Sequence, residues 1–209
     1  MLPVISANRA TVSYGFGLFA LSLSLSMNVA KADVVTFSGL SGGNGTPFTT
    51  YTEGRFTVTP ITDDWFQAEV YGNPLPSIFD GPVGSPGLAT IRITGSADFT
   101  WQSIDYSSNS GPSIYNIEGL LDGVPQFDET GTLKAQFAPF GFTTLGGVHS
   151  GTLIDTLDIT VNPNIVGVPP PTSINLDNIV LSPVPEPGSL VLLGPVLLGL
   201  IRFRKWLQK

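Results

Sequence analysis

Acidic side chains are the residues of this sequence best suited to do chemistry. A glycosidase needs two carboxyl groups about 5–10 Å apart across a cleft, one acting as acid and the other as base or nucleophile. Fifteen acidic residues lie between positions 33 and 183, so some pairs arise by chance, and solvated acids that keep the protein soluble are the favoured interpretation. The pairs closest along the chain are Asp63 with Asp64, Asp128 with Glu129, and Asp155 with Asp158.

Nucleophilic catalysis has little support in the sequence. His149 is the single histidine, and Ser150 follows it directly. Neighbouring residues of a strand point to opposite faces, so the two do not form a nucleophile and base unless the chain turns between them. The lack of cysteine excludes thiol catalysis, cysteine-based zinc sites and disulfides. We therefore expect a non-catalytic protein with no catalytic residues.

The segment from residue 33 to residue 183 is strongly acidic. It has three basic residues, Arg55, Arg92 and Lys134, against its fifteen acids, which gives a net charge of about −12. Such a surface repels nucleic acid and anionic lipid. It is compatible with neutral glycans and with divalent cations.

Short runs of β-branched and aromatic residues, separated by turns rich in Gly, Pro, Ser and Asn, indicate the elements that position these side chains. In Ala89–Gly95, for example, Ile91 and Ile93 share one face of a strand. About nine short strands with frequent turns predict one all-β domain, a two-sheet antiparallel sandwich of jelly-roll type. The predicted strands are Val34–Ser38, Arg55–Pro60, Trp65–Tyr71, Ala89–Gly95, Phe99–Tyr106, Ser113–Leu121, Gly131–Phe137, Gly151–Val161 and Ser173–Leu181.

Aromatic residues in these strands suggest a platform on which sugar rings could stack. Trp101 shares a face with Phe99 and is expected in the core. Trp65 follows two aspartates and is expected to be more exposed. Trp65 and Tyr115 are therefore the candidate ligand-binding residues, with core packing as the alternative because each aromatic side chain buries a large area.

The N-terminus has the pattern of a secretory signal peptide. Arg9 supplies a positive charge, and the run from Phe16 to Val29 is mostly apolar or small. Ala30 and Ala32 place small residues where signal peptidase reads them, so Asp33 would begin the mature chain. Residues 1–32 are thus predicted to be a signal helix outside the folded domain.

The C-terminus carries a second targeting signal. Val184-Pro185-Glu186-Pro187 is followed by an apolar stretch that reaches Ile201 and by the basic residues Arg202, Arg204 and Lys205. The prolines keep the motif extended, and the basic residues favour the cytoplasmic side of a membrane. A permanent membrane anchor is the alternative, but residues 188–201 are shorter than the about 20 apolar residues that a typical span needs.

This tail resembles the PEP-CTERM sorting signal of Gram-negative bacteria. The resemblance implies a short transmembrane helix, transient retention at the inner membrane and cleavage near Pro185-Glu186-Pro187 by an exosortase. It further implies release to the cell surface or extracellular matrix of a bacterium that makes exopolysaccharide. Residues 184–209 are accordingly assigned to sorting and residues 33–183 to the β-sandwich.

The middle segment resembles the jelly-roll modules that bind carbohydrates. The resemblance rests on Phe99–Tyr106, on Tyr115–Gly119 and on the closing run Ile174–Leu181. It implies that the first run crosses the core, that the second carries a ligand face and that the closing strand pairs near the N-terminus. It also implies a structural calcium ion between Glu53 and Asp177, with simple turn or edge hydrogen bonds at Asp177 as the alternative.

Together these patterns predict an exported, non-catalytic protein of the cell envelope or extracellular matrix. Its expected partners are signal peptidase, an exosortase and extracellular polysaccharide, and no nucleic acid. A carbohydrate-binding module that contacts exopolysaccharide is the first alternative, and a glycan hydrolase that uses a carboxylate pair is the second.

Overall fold

A computed structural model describes residues 31–62, 65–80, 88–109, 111–136, 141–162 and 173–184. These ranges contain twelve β-strands and no helix, which confirms the predicted all-β class. The strands are β1 (Asp33–Val35), β2 (Tyr51–Glu53), β3 (Phe56–Pro60), β4 (Trp65–Ala68), β5 (Ser77–Asp80), β6 (Ala89–Asn109), β7 (Ser113–Leu121), β8 (Val124–Leu133), β9 (Ala135–Gln136), β10 (Thr143–Gly146), β11 (Ile154–Asn162) and β12 (Ser173–Pro183).

The two predicted targeting segments lie almost wholly outside the described residues. The signal peptide up to Ala30 and the tail from Pro185 onward, including Arg202, Arg204 and Lys205, lie outside the described residues. Within those residues, no helix has the length and apolar character to span a membrane. The sorting motif and the cleavage residues stay predictions.

Strand β6 is the central strand of one continuous twelve-stranded sheet, and its two halves pair with different strands. Its first half pairs with β3 on one side and with β11 on the other, and β11 continues to β7 and β8. Its second half pairs with β12 and with β10, and β12 continues to β5 and β4. The register between β6 and β11 shifts where Phe99 and Thr94 meet their partners. A long strand that bends at such an irregularity can pass from one sheet of a sandwich to the other.

Apolar side chains from both halves meet in one core, an arrangement consistent with the predicted sandwich. Trp101 of the second half is fully buried and stacks on Phe127 of β8, with ring centroids 6.3 Å apart. At the bend, Phe99 meets Phe56 edge to face at 5.2 Å. The prediction that Trp101 lies in the core is confirmed, and the jelly-roll connectivity stays a prediction.

The closing strand lies against the N-terminal strand, as the resemblance implied. β1 pairs with β12 through Asp33 and Leu181, Val34 and Val180, and Val35 and Ile179. The first residues of the domain are therefore held by its last strand.

The hairpin of β7 and β8 depends on a two-residue turn. Asp122 and Gly123 both have positive φ, 52° and 75°, which is the backbone of a type I′ turn. Gly123 accepts this conformation without a Cβ penalty, and aspartate tolerates it better than most residues. The turn, together with a register shift between Gly119 and Leu120, places Phe127 opposite Gly119 and Tyr115 opposite Gly131.

Gly119 leaves the space that the Phe127 ring fills. A Cβ at this position would overlap the ring and would lie 2.9 Å from Ile154. Phe127 is held between Trp101 and His149, whose ring is 4.4 Å away, so it has little room to retreat. Gly119→Ala is therefore expected to lower the free energy of unfolding by about 1–3 kcal/mol in urea titrations.

The matched control is Gly141→Ala, because a Cβ there meets nothing within 4 Å. Equal stability of the two variants would contradict this packing.

Candidate functional site

Polar residues share the outer face of the part of the sheet that contains the second half of β6. We call this part, with β12, β5, β4 and β10, the second sheet half. Residues directly opposite in an antiparallel pair lie on the same face. By this register Asn175 of β12 lies beside Ser107 of β6 and Phe79 of β5, and Ser173 lies beside Asn109. All of them except Phe79 and Ser173 are buried, although polar side chains are rarely buried without partners.

Hydrogen bonds fix the amides of this face in place. The Asn109 side chain donates to Ser173 Oγ at 2.9 Å and to Asn175 Oδ1 at 3.0 Å, and it accepts from Ser107 at 3.0 Å. Asn175 in turn donates to Ser77 Oγ at 3.3 Å. Such a network sets the direction of each remaining lone pair and proton before any ligand arrives.

A cleft of about 290 Å³ opens over this network. Three amides, two hydroxyls and two aromatic rings contribute to its wall, and Tyr71 supplies both a hydroxyl and a ring. The cleft is lined by Asn44, Ala68, Val70, Tyr71, Phe79, Asn109, Ser173 and Asn175. These residues come from five separate parts of the chain, so their convergence is not visible in the sequence.

Tyr71 forms one side of the cleft from the loop of residues 69–76, which joins β4 to β5. Its hydroxyl lies 2.8 Å from Ser107 Oγ, and its ring stacks on Phe142 at 5.1 Å. Burial raises the pKa of the Tyr71 phenol, and the Ser107 hydrogen bond opposes that shift. Tyr71 is thus a neutral hydrogen-bonding group at physiological pH.

Two carboxylates hold the same loop farther along the face. Asp177 Oδ2 accepts the Asn73 N–H at 2.6 Å, and Asp105 Oδ2 accepts the Asn73 side-chain amide at 3.3 Å. Burial, with further contributions from Asp105 and Glu53, raises the pKa of Asp177 to about 6, although hydrogen bonds from Asn73 and Asn178 oppose the rise.

The calcium hypothesis for Glu53 and Asp177 does not fit the donors around them. Glu53 accepts the N–H groups of Thr36 and Phe37 at 2.9 and 3.0 Å, as well as the Thr36 hydroxyl at 2.8 Å. Calcium requires six to eight oxygen ligands, and N–H donors cannot supply them. The described residues include no group of three His, Asp or Glu side chains placed to hold a metal. Both carboxylates act as hydrogen-bond acceptors that tie segments of the chain together.

The expectation that Trp65 is exposed is wrong. Only 1% of its surface is accessible, and it belongs to the hydrophobic core. The aspartates before it suggested exposure, but Trp65 lies on the inward face of β4. Tyr115 is also buried in that core, with its hydroxyl 3.2 Å from Glu129, because its ring covers Gly131 on the neighbouring strand. Neither residue lines the cleft.

The remaining candidate residues make structural contacts. Asp158 forms a bidentate ion pair with Arg92, at 2.8 and 2.7 Å. Asp155 accepts the Asp122 N–H at 2.7 Å and so supports the hairpin turn. Asp128 accepts the side-chain amide of Asn116. The pair of Asp63 and Asp64 lies outside the described residues.

The fold and site thus define an all-β domain with a cleft whose amide and hydroxyl groups are held in place by hydrogen bonds. No protein family profile and no curated protein matches the chain. Solved structures that resemble it include a family 29 carbohydrate-binding module from Piromyces equi, at 10% identity and a TM-score of 0.42, covering 74% of this chain and 91% of that one. Another is CBM32-3 from a family 31 glycoside hydrolase of Clostridium perfringens, at 17% identity and a TM-score of 0.35, covering 52% and 75%.

A third similar structure is the CBM22-1 and GH10 modules of xylanase 10B from Clostridium thermocellum, at 12% identity and a TM-score of 0.37. The match covers 61% of this chain, which spans about a quarter (26%) of the length of that protein. At these levels of similarity, function has to be inferred from the cleft itself.

Proposed function

We propose that the β-domain binds a neutral saccharide in the cleft beside Tyr71. The observation that carries this proposal is the fixed set of amides and hydroxyls next to two aromatic rings. Sugar hydroxyls need partners that both donate and accept hydrogen bonds, and their apolar C–H faces favour contact with aromatic rings. Asn109, Asn175 and Tyr71 offer the hydrogen-bonding groups. Phe79 and Tyr71 offer the aromatic rings.

Charge favours a neutral ligand over an acidic one. Asp105 and Asp177 lie on the same face as the cleft, and none of the described residues that line it is a Lys, Arg or His. Ion pairs among the described residues hold Arg55 to Asp33 and Arg92 to Asp158. A uronic acid would therefore meet negative potential without a compensating cation.

The cleft volume favours one or two sugar units or a chain end. At about 290 Å³ it stands at the lower limit of the roughly 300–1,000 Å³ usual for small-molecule sites. A long polysaccharide would contact the cleft by a single unit and would bind weakly at each site. Many copies on a matrix would compensate by avidity.

The proposal also includes the export and sorting of the protein. The protein is an envelope or matrix component without catalytic function, delivered by its signal peptide and processed at Pro185-Glu186-Pro187. The support comes from the two chain ends and from the acidity of the segment between them. Mass spectrometry of protein from the native host tests this part, since mature protein that retains Lys209 would leave a plain membrane anchor.

Cleft variants test the binding. Asn44→Ala and Tyr71→Ala are each expected to weaken binding to a soluble neutral glycan by about tenfold or more, equal to about 1.4 kcal/mol. Affinity electrophoresis of the full-length chain in gels of xylan, mannan or β-glucan measures this, with alginate as the acidic comparison.

The matched control is Asn116→Ala, an amide on β7 that contacts Asp128 and lies away from the cleft. Equal retardation of all variants would contradict the cleft as the site. Retardation only in alginate would contradict the choice of a neutral ligand.

A further inference from the structure

A cluster beside the cleft connects four parts of the chain. Asn178 donates its side-chain amide to Asp105 Oδ2 at 2.9 Å and to the Asn73 carbonyl. Its own N–H donates to Asp177 Oδ1 at 2.8 Å. Thr144 of β10 donates to Asp105 Oδ1 at 2.6 Å. Asp105 and Asp177 therefore both accept hydrogen bonds from Asn73, which lies two positions after Tyr71.

The loop of residues 69–76 has a second attachment at the cleft. Ser77 Oγ donates to the Tyr71 carbonyl at 2.7 Å, and Ser77 also contacts Asn175 of the cleft network. Tyr71 thus lies between the acidic cluster on one side and the amide network on the other. The Asn73 bonds act close to the ring that forms the cleft wall, because only Gly72 separates Asn73 from Tyr71.

We propose that Asp105 and Asp177 are positioning residues for the Tyr71 side of the cleft, and that the protonation of Asp177 controls how firmly this wall is held. The functional consequence rests on the saccharide-binding proposal above. Neither carboxylate touches the ligand, since neither lines the cleft. They act through Asn73, whose backbone N–H and side chain they bind.

Hydrogen-bond strength links the cluster to pH. An N–H bond to an ionised carboxylate is roughly twice as strong as one to a neutral oxygen. The charged groups that act on Asp177 are Asp105 on β6 and Glu53 on β2, both acidic. The raised pKa of about 6 places the loss of the Asp177 charge within a mildly acidic range. Below that pH the Asn73 bond to Oδ2 weakens and the wall loosens.

Nuclear magnetic resonance of the full-length chain tests this without any ligand. In the wild type the Asn73 and Asn178 amide protons are expected downfield, and they should move together with a midpoint near pH 6. The Tyr71 and Phe142 rings should show contacts at pH 7.5 that weaken at pH 5. In Asp177→Asn these contacts should be weak at both pH values, while contacts between Trp101 and Phe127 report an intact core.

Asp158→Asn is the matched control, because Asp158 pairs with Arg92 on the other sheet half. Contacts between Tyr71 and Phe142 that are the same at both pH values and in Asp177→Asn would overturn the proposal. If the Asn73 and Asn178 amide protons share a titration midpoint but the contacts between Tyr71 and Phe142 do not change, the proposal would also be overturned.

Binding provides the second readout. In xylan gels the wild type is expected to lose about tenfold in affinity between pH 7.5 and 5, whereas Asp177→Asn should be weak and independent of pH. If the Tyr71 contacts respond as stated but the wild type is not retarded in xylan, mannan or β-glucan, the saccharide proposal fails while the positioning role stands. If the wild type is retarded and its affinity does not vary with pH, the positioning role fails alone.

Discussion

Replacing Glu53 with alanine is expected to lower the free energy of unfolding by about 3 kcal/mol, which corresponds to roughly 6–12 °C in the melting midpoint. Its carboxylate accepts three hydrogen bonds from Thr36 and Phe37 and a fourth from the Tyr51 hydroxyl. Removing it leaves two backbone N–H groups without their acceptor where the chain leaves β1. Each such loss at a partly buried site costs about 1–3 kcal/mol.

Phe37 makes this site especially sensitive. Its φ is +58°, a left-handed conformation that costs a non-glycine residue about 1–2 kcal/mol, yet its side chain is fully buried. The Glu53 carboxylate holds the Phe37 N–H in that conformation and thereby keeps the ring in the core, 6.0 Å from Phe48. Without Glu53 the Phe37 N–H loses the acceptor that stabilises this conformation.

Thermal unfolding of the full-length chain, with and without a chelator, distinguishes this role from a metal site. The control is Glu69→Ala, an exposed acid whose loss should change stability by less than about 0.5 kcal/mol. The wild type should melt at the same temperature in chelator and in calcium. A chelator-induced loss as large as that of Glu53→Ala would restore the calcium hypothesis.

Strands with clear alternation could be predicted from the sequence, and strands that depend on their neighbours could not. The prediction for β7 matches the structure, and that for β3 differs by one residue at its start. Ser96–Asp98 are predicted to separate two strands, but the backbone continues through them in β6. There the Ser96 N–H donates to the Arg55 carbonyl and the Asp98 carbonyl accepts the Val184 N–H. β8 contains Pro125, Asp128 and Glu129, which are poor strand residues, and its pairing with β7 overrides their propensity.

Predicting the site required knowledge of contacts between distant residues. Asp177 and Glu53 were recognised as important acids, but a sequence does not show whether a carboxylate faces N–H donors or other oxygens. The very short strands β2 and β5 were also missed, and β5 carries Phe79 into the cleft. Burial of Trp65 was missed because the two acids before it suggested a solvent-exposed position, whereas side-chain direction along β4 decided the outcome.

The stability of the protein is expected to fall as pH rises from about 4 to above 6, through Asp177. The folded-state pKa of this carboxyl is about 6 and its ordinary value is 3.8, so between these values the folded state binds more protons than the unfolded state. Below about pH 4 both states are protonated and no penalty exists. Above the folded pKa the full penalty is present, on the order of 3 kcal/mol from a shift of about two units.

Urea titrations of wild type and Asp177→Asn between pH 4 and 8 isolate this contribution. The variant keeps one acceptor oxygen and replaces the other with an NH2 donor, so one of the bonds from Asn73 and Asn178 is lost and the variant will be less stable at low pH. Its stability should lack the extra decline that the wild type shows. Glu69→Gln serves as the control, because an exposed acid should leave the curve parallel to that of the wild type. Parallel curves for Asp177→Asn would contradict the raised pKa.

Protonation of Asp177 has opposite effects on the fold and on the loop. It removes a buried charge and stabilises the fold, but it weakens the bond that holds the loop. A domain that keeps this charge near neutral pH therefore gives up stability to hold Tyr71 at the cleft.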